Sequence, residues 1–241
     1  MAESRLSAEV LEGFICSVLR RNFDDPADNA EFHREIWQYV CSPDSKVAIA
    51  APRNHAKSTV VTHAYTLASV LFREQTYVII VSDTVGQSVQ FLGDIKKELL
   101  ENEDLRNLFG VREFLKDTED DLICSMDDGH LFRIQAKGSE QKLRGLKWKN
   151  RRPGLIVGDD MENDEIVMNR DRRLKFKRWF YGALLPALSD KGKIRLVGTI
   201  LHLDSLLENL MPSSLLKTIS GGHKSLIRED LKEYTDIRLS W

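Results

Sequence analysis

A short apolar run that passes through a polar loop into a helical pattern is the feature of this sequence that most restricts its fold. The run covers residues 47–51, Val-Ala-Ile-Ala-Ala, and Pro52 follows it. After the loop, apolar side chains return at the spacing of one helix face, namely at Val60, Ala64, Leu67, Ala68 and Leu71. A strand, a loop and a helix in this order predict the first unit of an α/β fold.

The alternation of strand and helix continues along the chain. Apolar runs at 77–81, 155–157 and 194–197 predict buried strands. Thr84-Val-Gly-Gln87 has the pattern of a capping box, which opens a helix. This alternation predicts an α/β fold with a mainly parallel sheet sandwiched by helices.

Two additions to this sheet are predicted, together with three segments of the chain. Apolar residues at helical spacing indicate short N-terminal helices, and the Asp-Asp-Gly turn at 127–129 indicates an antiparallel hairpin over 122–135. We expect a helical segment at 1–44 packed on a core at 45–215. The polar, weakly patterned residues 216–241 indicate a linker.

The composition is that of an ordinary globular protein and excludes disordered and collagen-like classes. Of 241 residues, 42% are hydrophobic and 30% charged, and 35 basic against 37 acidic residues give a net charge of −2. The apolar stretches fall far short of the roughly 20 residues that span a membrane, so no membrane contact is expected. Cys16, Cys41 and Cys124 are odd in number and widely spaced, which indicates a reducing, cytoplasmic compartment.

Basic residues cluster in two runs although the net charge is small. Residues 137–152 contain seven basic residues and one acidic residue, and residues 170–178 contain six basic residues. Such runs form either a solvated face or a surface for nucleic-acid phosphates. The sequence leaves both interpretations open.

The loop at 51–59, Ala-Pro-Arg-Asn-His-Ala-Lys-Ser-Thr, has the spacing of the phosphate-binding (Walker A) motif G-x-x-x-x-G-K-[ST], with alanine at both glycine positions. In that chemistry Lys57 reaches the β and γ phosphates, and the Ser58 hydroxyl binds Mg²⁺. Asn54 tolerates left-handed backbone better than most residues. The alternative is a basic turn that caps a helix.

Carboxylates follow the predicted strand at 155–157 in the Walker B arrangement. Asp159, Asp160 and Glu162 come directly after this apolar run. Because the carboxyl ends of parallel strands meet at one edge of the sheet, we expect Asp159 to share one Mg²⁺ with Ser58. Either Asp160 or Glu162 would then orient or deprotonate the attacking water, and the sequence does not choose between them.

Two weaker signals complete the set. Val197-Gly-Thr199 ends a strand with a small residue and a hydroxyl group, which suits a close approach to the γ-phosphate. Arg144, beside Gly145 in the first basic run, suits an arginine finger that stabilises charge on a transferred phosphoryl group. A polar strand end and a solvated or DNA-contacting arginine are the simpler explanations.

Taken in order, these segments resemble the ATPase half of the large terminase subunit of tailed bacteriophages. The resemblance rests on residues 51–59, on Leu-Arg-Gly at 143–145, on Gly-Asp-Asp-Met-Glu-Asn at 158–163, and on Val-Gly-Thr-Ile-Leu-His at 197–202. Phe-His-Arg-Glu-Ile at 32–36 also resembles the segment that precedes this family's nucleotide loop. The resemblance spans roughly residues 32–204.

The resemblance implies a P-loop NTPase of the ASCE/RecA-like type that uses ATP and Mg²⁺ to drive double-stranded DNA into an empty capsid. It also implies a homo-oligomeric ring, with the portal protein and the small terminase subunit as partners. The expected location is the cytoplasm of the infected host, transiently at the procapsid portal. The family's C-terminal nuclease has no room before Trp241, so we expect the ATPase portion alone.

The family's functional residues carry over to matching positions. The nucleotide-binding residues would be Arg53, Asn54, His55, Ala56, Lys57, Ser58 and Thr59. Ser58 and Asp159 would hold Mg²⁺, and Asp160 or Glu162 would be the catalytic carboxylate. Arg144 would be a finger that reaches a neighbouring subunit, and Thr199 would belong to the coupling motif.

Three other functions are considered. The first is another nucleic-acid translocase or helicase, for which a second ATPase lobe would be expected. The second is a metal-dependent nuclease in which Asp159, Asp160 and Glu162 hold two cations, which leaves Lys57 and Ser58 unexplained. The third is a binding protein whose nucleotide site has decayed.

Overall fold

The computed structural model describes residues 6–20, 31–52, 56–211, 223–226 and 235–239. Within these ranges nine strands form one sheet. They are β1 (Lys46–Ala50), β2 (Tyr77–Ser82), β3 (Val111–Thr118), β4 (Asp121–Met126), β5 (Leu131–Gly138), β6 (Leu155–Asp159), β7 (Lys193–Gly198), β8 (His223–Leu226) and β9 (Thr235–Leu239).

The centre of the sheet is parallel and its two edges are antiparallel. The strand order is β3-β4-β5-β2-β6-β7-β1-β9-β8. All neighbours from β5 to β9 pair in parallel, whereas β3, β4 and β5 pair antiparallel, as do β9 and β8. The predicted α/β fold, with its mainly parallel sheet and antiparallel hairpin, is therefore confirmed.

Helices cover both faces of the sheet. The helices are α1 (Ala8–Phe14, continued by a wider π-type turn at Ile15–Leu19), α2 (Glu31–Val40), α3 (π-type over Thr59–Tyr65 and α-helical over Thr66–Leu71), α4 (Val85–Glu101), α5 (Glu103–Phe109), α6 (Asp164–Met168), α7 (Arg170–Trp179, continued by Phe180–Leu184 and Leu185–Ala187) and α8 (Leu206–Leu210). No helix in the described ranges is both long enough and apolar enough to span a bilayer.

Alternate residues of the central strands point into two separate cores. In β1, Val47 and Ile49 pack with α1 to α4, whereas Ala48 and Ala50 pack with α7 and α8. This period of two is the property of a strand buried on both faces. It explains why residues 47–51, 77–81 and 155–157 are continuous apolar runs in the sequence.

The N-terminal helices are fixed to the sheet by a buried arginine. Trp37 of α2 is 1% exposed and lies in the first core. Arg195 of β7 is fully buried, and its guanidinium donates to the carbonyl oxygens of Val40, Ser42 and Asp44 at 2.8, 3.1 and 3.0 Å. These bonds satisfy carbonyl groups at and beyond the C-terminus of α2.

The expected segment boundaries at 1–44, 45–215 and 216–241 stay predictions. Within 216–241, however, the structure describes β8 and β9, and β9 pairs with β1. This part of the expected linker therefore belongs to the sheet. The Thr84 cap is confirmed, since its hydroxyl accepts a hydrogen bond from the Gln87 N–H at 3.3 Å.

Candidate functional site

The candidate site lies where three neighbouring parallel strands end. In the ladders, Ala50 of β1 is opposite Gly198 of β7, and Val197 is opposite Asp159 of β6. The carboxyl ends of β1, β7 and β6 therefore reach the same edge of the sheet. Ligand sites of open α/β sheets form in this region.

Lys57 is buried at the start of α3, with 5% of its surface exposed. Its Nζ lies 3.2 Å from Asp160 Oδ2 and donates to Thr199 Oγ1 at 3.1 Å. The three residues come from three separate segments, so the fold unites the predicted loop, acidic cluster and strand end. The predicted residues Arg53, Asn54 and His55 lie outside the described residues.

Ala56 occupies the second glycine position of the loop motif and has φ +50°. Its carbonyl accepts the first helical hydrogen bond of α3, from the Val60 N–H at 2.9 Å. Left-handed backbone is strained for alanine and easy for glycine. The conformation that the motif requires is therefore kept, although the residue that favours it is absent.

Asp159 is fully buried at the end of β6. Its Oδ2 accepts a hydrogen bond from the Thr62 hydroxyl at 2.6 Å, and its Oδ1 has no hydrogen-bond partner among the described residues. Burial raises its pKa to about 6, against the lowering effects of the Thr62 and Ser58 hydroxyls. A buried carboxylate oxygen without a partner, beside Ser58, suits Mg²⁺, which prefers oxygen ligands.

Asp160 connects the end of β6 to the end of β7. Its Oδ1 accepts a hydrogen bond from the Thr199 N–H at 2.9 Å, and its own N–H donates to Val197 O at 2.9 Å. The residue has φ +39°, an uncommon conformation for a non-glycine residue. The Thr199 hydroxyl in turn donates to Ala51 O at 3.2 Å, which ties β7 to the loop after β1.

Glu162 is bound to the N-terminus of α8. Its two carboxylate oxygens accept hydrogen bonds from the N–H groups of Leu206 and Leu207 at 2.7 and 3.1 Å. Burial raises the pKa of Glu162, and these two bonds oppose the rise. Among the described residues, no three His, Cys, Asp or Glu side chains are grouped so that they could hold a metal ion, and this disfavours the nuclease interpretation, which needs Asp159, Asp160 and Glu162 together.

Arg144 lies apart from these groups. Its Nε and Nη2 donate to Gly182 O at 3.2 and 2.9 Å, in the turn that continues α7. Gly145 beside it has φ +82°. Within one chain, the structure does not bring Arg144 to the residues that line the cleft beside Lys57.

A cleft of about 400 Å³ opens beside Lys57. Its lining residues are Lys57, Asp83, Gln87, Asp160, Glu162, Asn163, Asp164, Thr199 and Leu201. Four residues of this site were not predicted from the sequence, namely Asp83, Gln87 and Asn163 in the cleft and Thr62 on α3. Thr62 had a usable signal, since it lies four residues after Ser58 on the same helix face.

These features define an α/β fold with helices on both faces of a mainly parallel sheet and a polar cleft at the carboxyl edge of that sheet. Among solved structures, the chain is similar to the large terminase ATPase domain of Thermus phage P74-26, with a TM-score of 0.61 and 15% identity over 87% of this chain and 80% of that chain. It is also similar to an arginine-to-alanine mutant of the same domain, with a TM-score of 0.59 and 14% identity over 87% of this chain and 80% of that chain.

At this identity the similarity confirms the expected resemblance at the level of the fold. No protein-family model matches the sequence, and no curated protein matches it.

Proposed function

We propose that the chain is the ATP-hydrolysing motor domain of a viral genome-packaging terminase, which translocates double-stranded DNA into a procapsid. One observation carries the proposal. Lys57, Asp159 and Thr199, which are far apart in the sequence, meet at the carboxyl edge of a sheet with the terminase ATPase fold.

The roles of the residues follow from their contacts. The Lys57 ammonium group would bind the β and γ phosphates. Its contacts with Asp160 and Thr199 would then change when the phosphates bind. Ser58 and Asp159 would hold Mg²⁺, which neutralises the charge that develops on the phosphates. The loop residues Arg53, Asn54 and His55 would bind the phosphate chain, with Ala56 and Thr59 beside them.

The Lys57–Asp160–Thr199 contacts also suggest how hydrolysis is coupled to movement. A γ-phosphate would compete with Asp160 for the Lys57 ammonium group. Binding of the γ-phosphate would therefore weaken the Lys57–Asp160 ion pair, and its release would restore the pair. Asp160 and Thr199 are joined to each other by a backbone hydrogen bond, and Thr199 reaches Ala51. A change at the phosphate is thereby transmitted to the end of β7 and to the nucleotide loop.

The two basic runs of the sequence form one surface, which supports DNA binding. The loop at 139–152 packs along α7, where the Trp179 indole donates to Gln141 O at 2.9 Å and Lys175 lies 3.1 Å from Glu140. Exposed basic side chains of this surface include Lys147, Lys149, Arg151, Arg152, Arg170, Arg172, Lys175 and Arg178. Contacts to phosphate suit a motor that moves along DNA of any sequence.

The remaining expectations are part of the same proposal. The chain would assemble as a ring with itself, act with the portal protein and the small terminase subunit, and work in the host cytoplasm at the portal. Arg144 would then reach the nucleotide of the neighbouring subunit. Its exposed position on the basic surface is compatible with such a contact.

Thermal unfolding with Mg²⁺ and a non-hydrolysable ATP analogue tests the nucleotide site. A ligand at a hundred times its Kd stabilises by about 2.7 kcal/mol, which raises Tm by several degrees. We expect this rise in the wild type, its loss in Lys57→Ala, and its retention in Lys191→Ala, which removes an exposed lysine beyond the opposite edge of the sheet. A rise that persists in Lys57→Ala would contradict the proposed site.

A further inference from the structure

The cleft contains a carboxylate that is not used by the contacts described above. Asp83 directly follows β2, and β2 pairs in parallel with β6, so that Ser82 is opposite Asp159. The end of β2 therefore reaches the same edge as the ends of β6, β7 and β1. Asp83 lines the cleft together with Lys57 and Thr199.

Both oxygens of each predicted catalytic carboxylate already have partners within the chain. Glu162 uses both of its oxygens on the N–H groups of α8. Asp160 uses one oxygen on the Thr199 N–H and the other on Lys57. By contrast, Asp83 accepts a single side-chain hydrogen bond within the described residues, on Oδ1.

That one bond fixes the orientation of Asp83. Asn163 Oδ1 caps α6 by accepting the Ile166 N–H at 2.8 Å, so its Nδ2 must be the group that faces Asp83 Oδ1, at 2.9 Å. The Asp83 carbonyl is also held, because the Ser139 hydroxyl donates to it at 3.0 Å. The carboxylate is therefore positioned by two separate segments, while its Oδ2 accepts no side-chain hydrogen bond from the residues that the structure describes.

Gln87 adds a second polar group on the same side of the cleft. It lies on the first turn of α4, only four residues after Asp83, and it also lines the cleft. A carboxylate and an amide that line one cleft with the Lys57 ammonium group are suited to holding a water molecule against a phosphate.

We propose that Asp83 is the catalytic base that activates the water for ATP hydrolysis, with Asn163 as the residue that positions it. The inference rests on the proposed ATPase function and deepens it. The water oxygen forms a bond to the γ-phosphorus, and one water proton passes to Asp83 Oδ2. The bond from the γ-phosphorus to the β–γ bridging oxygen breaks, and its electron pair stays on ADP. The proton then leaves Asp83 for solvent, which regenerates the carboxylate.

The test compares Asp83→Asn with the wild type in two measurements on the full chain. The first is the Kd for a fluorescent ATP analogue with Mg²⁺, and the second is single-turnover hydrolysis of ATP with protein in excess. Asparagine keeps the shape of aspartate and still accepts a hydrogen bond from Asn163, but it cannot take a proton. We expect the hydrolysis rate to fall at least 100-fold, with the Kd changed less than threefold.

Asp190→Asn is the matched control, since it removes an equal charge from an exposed residue that precedes β7, at the opposite edge of the sheet from the cleft. It should change both quantities less than threefold. Asp83→Asn hydrolysing ATP within threefold of the wild type would overturn the inference, as would an equal loss in Asp190→Asn or a matching loss of nucleotide affinity. Asp160→Asn losing hydrolysis while Asp83→Asn keeps it would assign the base to Asp160.

These results separate the inference from the function on which it rests. A wild-type chain that binds nucleotide and hydrolyses it, beside an unaffected Asp83→Asn, refutes the role of Asp83 alone. A wild-type chain that binds no nucleotide, or hydrolyses none, refutes the proposed ATPase function and the inference together.

Discussion

Ala56 is an alanine that adopts a left-handed backbone conformation. The alanine has φ +50° where the loop motif has its second glycine. The conformation costs an L-residue about 1 to 2 kcal/mol. It persists because the residue lies between β1, whose end is held through the Ala51–Thr199 bond, and α3, whose first bond it accepts.

We therefore expect Ala56→Gly to leave the free energy of unfolding unchanged or to raise it. Glycine removes the left-handed strain but costs about 0.5 to 1 kcal/mol through the greater freedom of the unfolded chain. Ala183→Gly, in the helical turn at Phe180–Leu184, gains nothing in return and should cost about 1 kcal/mol. Urea unfolding should therefore give a higher free energy of unfolding for Ala56→Gly than for Ala183→Gly. An equal loss of free energy in both variants would show that Ala56 is not strained.

Single residues of the site were predictable when they belong to a motif with fixed spacing. Lys57 and Asp159 follow apolar strands at places where their chemistry has few alternatives, and the structure puts them at one edge. Asp83 follows a strand too, but one aspartate after an apolar run has no partner at fixed spacing. Its contact with Asn163, 80 residues later, exists only in the fold.

Among the elements, the hairpin of β4 and β5 is held together by a buried charge cluster. The Asp121 side chain is 4% exposed and accepts two hydrogen bonds from Arg133, at 2.8 and 2.6 Å, and one from Lys116 of β3. Burial alone would raise the pKa of Asp121, but the bonds from Arg133 and Lys116 lower it overall. One carboxylate thus joins three antiparallel strands.

Asp121→Asn should lower the free energy of unfolding at pH 7 by about 2 to 3 kcal/mol, because hydrogen bonds to a charged group are lost. Since folding lowers the pKa of Asp121, its contribution is complete well above the ordinary value of 3.8 and is lost as the pH falls through the lower folded value. Urea unfolding from pH 7 to about pH 2 should show the free energies of unfolding of the wild type and Asp121→Asn converging at the acid end of this range.

Asp120→Asn is the control for this hairpin. Asp120 is 44% exposed and pairs with Lys137 at 3.0 Å, so its replacement should cost less than about 1 kcal/mol. A wild-type advantage over Asp121→Asn that stays constant down to about pH 2 would show that the ionised carboxylate is not what stabilises the hairpin.

The elements that the sequence predicts are those with a strong local pattern. The apolar strands β2, β6 and β7 and the turn at 127–129 satisfy this condition, and each is present. Strand β3 was not predicted, because it lies at the edge of the sheet and most of its side chains, as in Arg112 and Glu113, are exposed. Strands β8 and β9 were missed for a related reason, since a short polar segment becomes a strand only when an existing edge accepts it.

At the scale of the whole molecule, Arg144 is placed on the surface rather than in its own cleft. The guanidinium donates to Gly182 O, and Arg144 is exposed, so its side chain needs no large rearrangement to contact a neighbouring subunit. An arginine finger supplied from a neighbour contributes about 10³ to 10⁵ in rate. Under the proposed function, the site of an isolated chain would be incomplete and its completion would depend on assembly.

The rate of ATP hydrolysis per subunit should therefore rise with protein concentration, and Arg144→Ala should abolish the rise while leaving the rate at high dilution unchanged. Arg152→Ala is the matched control, because Arg152 is equally exposed and donates to the nearby Pro186 O at 2.9 Å. It removes the same charge from the same basic surface and should keep the rise. An arginine finger acts through one guanidinium at one phosphate. A rise that survives in Arg144→Ala, or that is lost in both variants, would therefore contradict the finger role of Arg144.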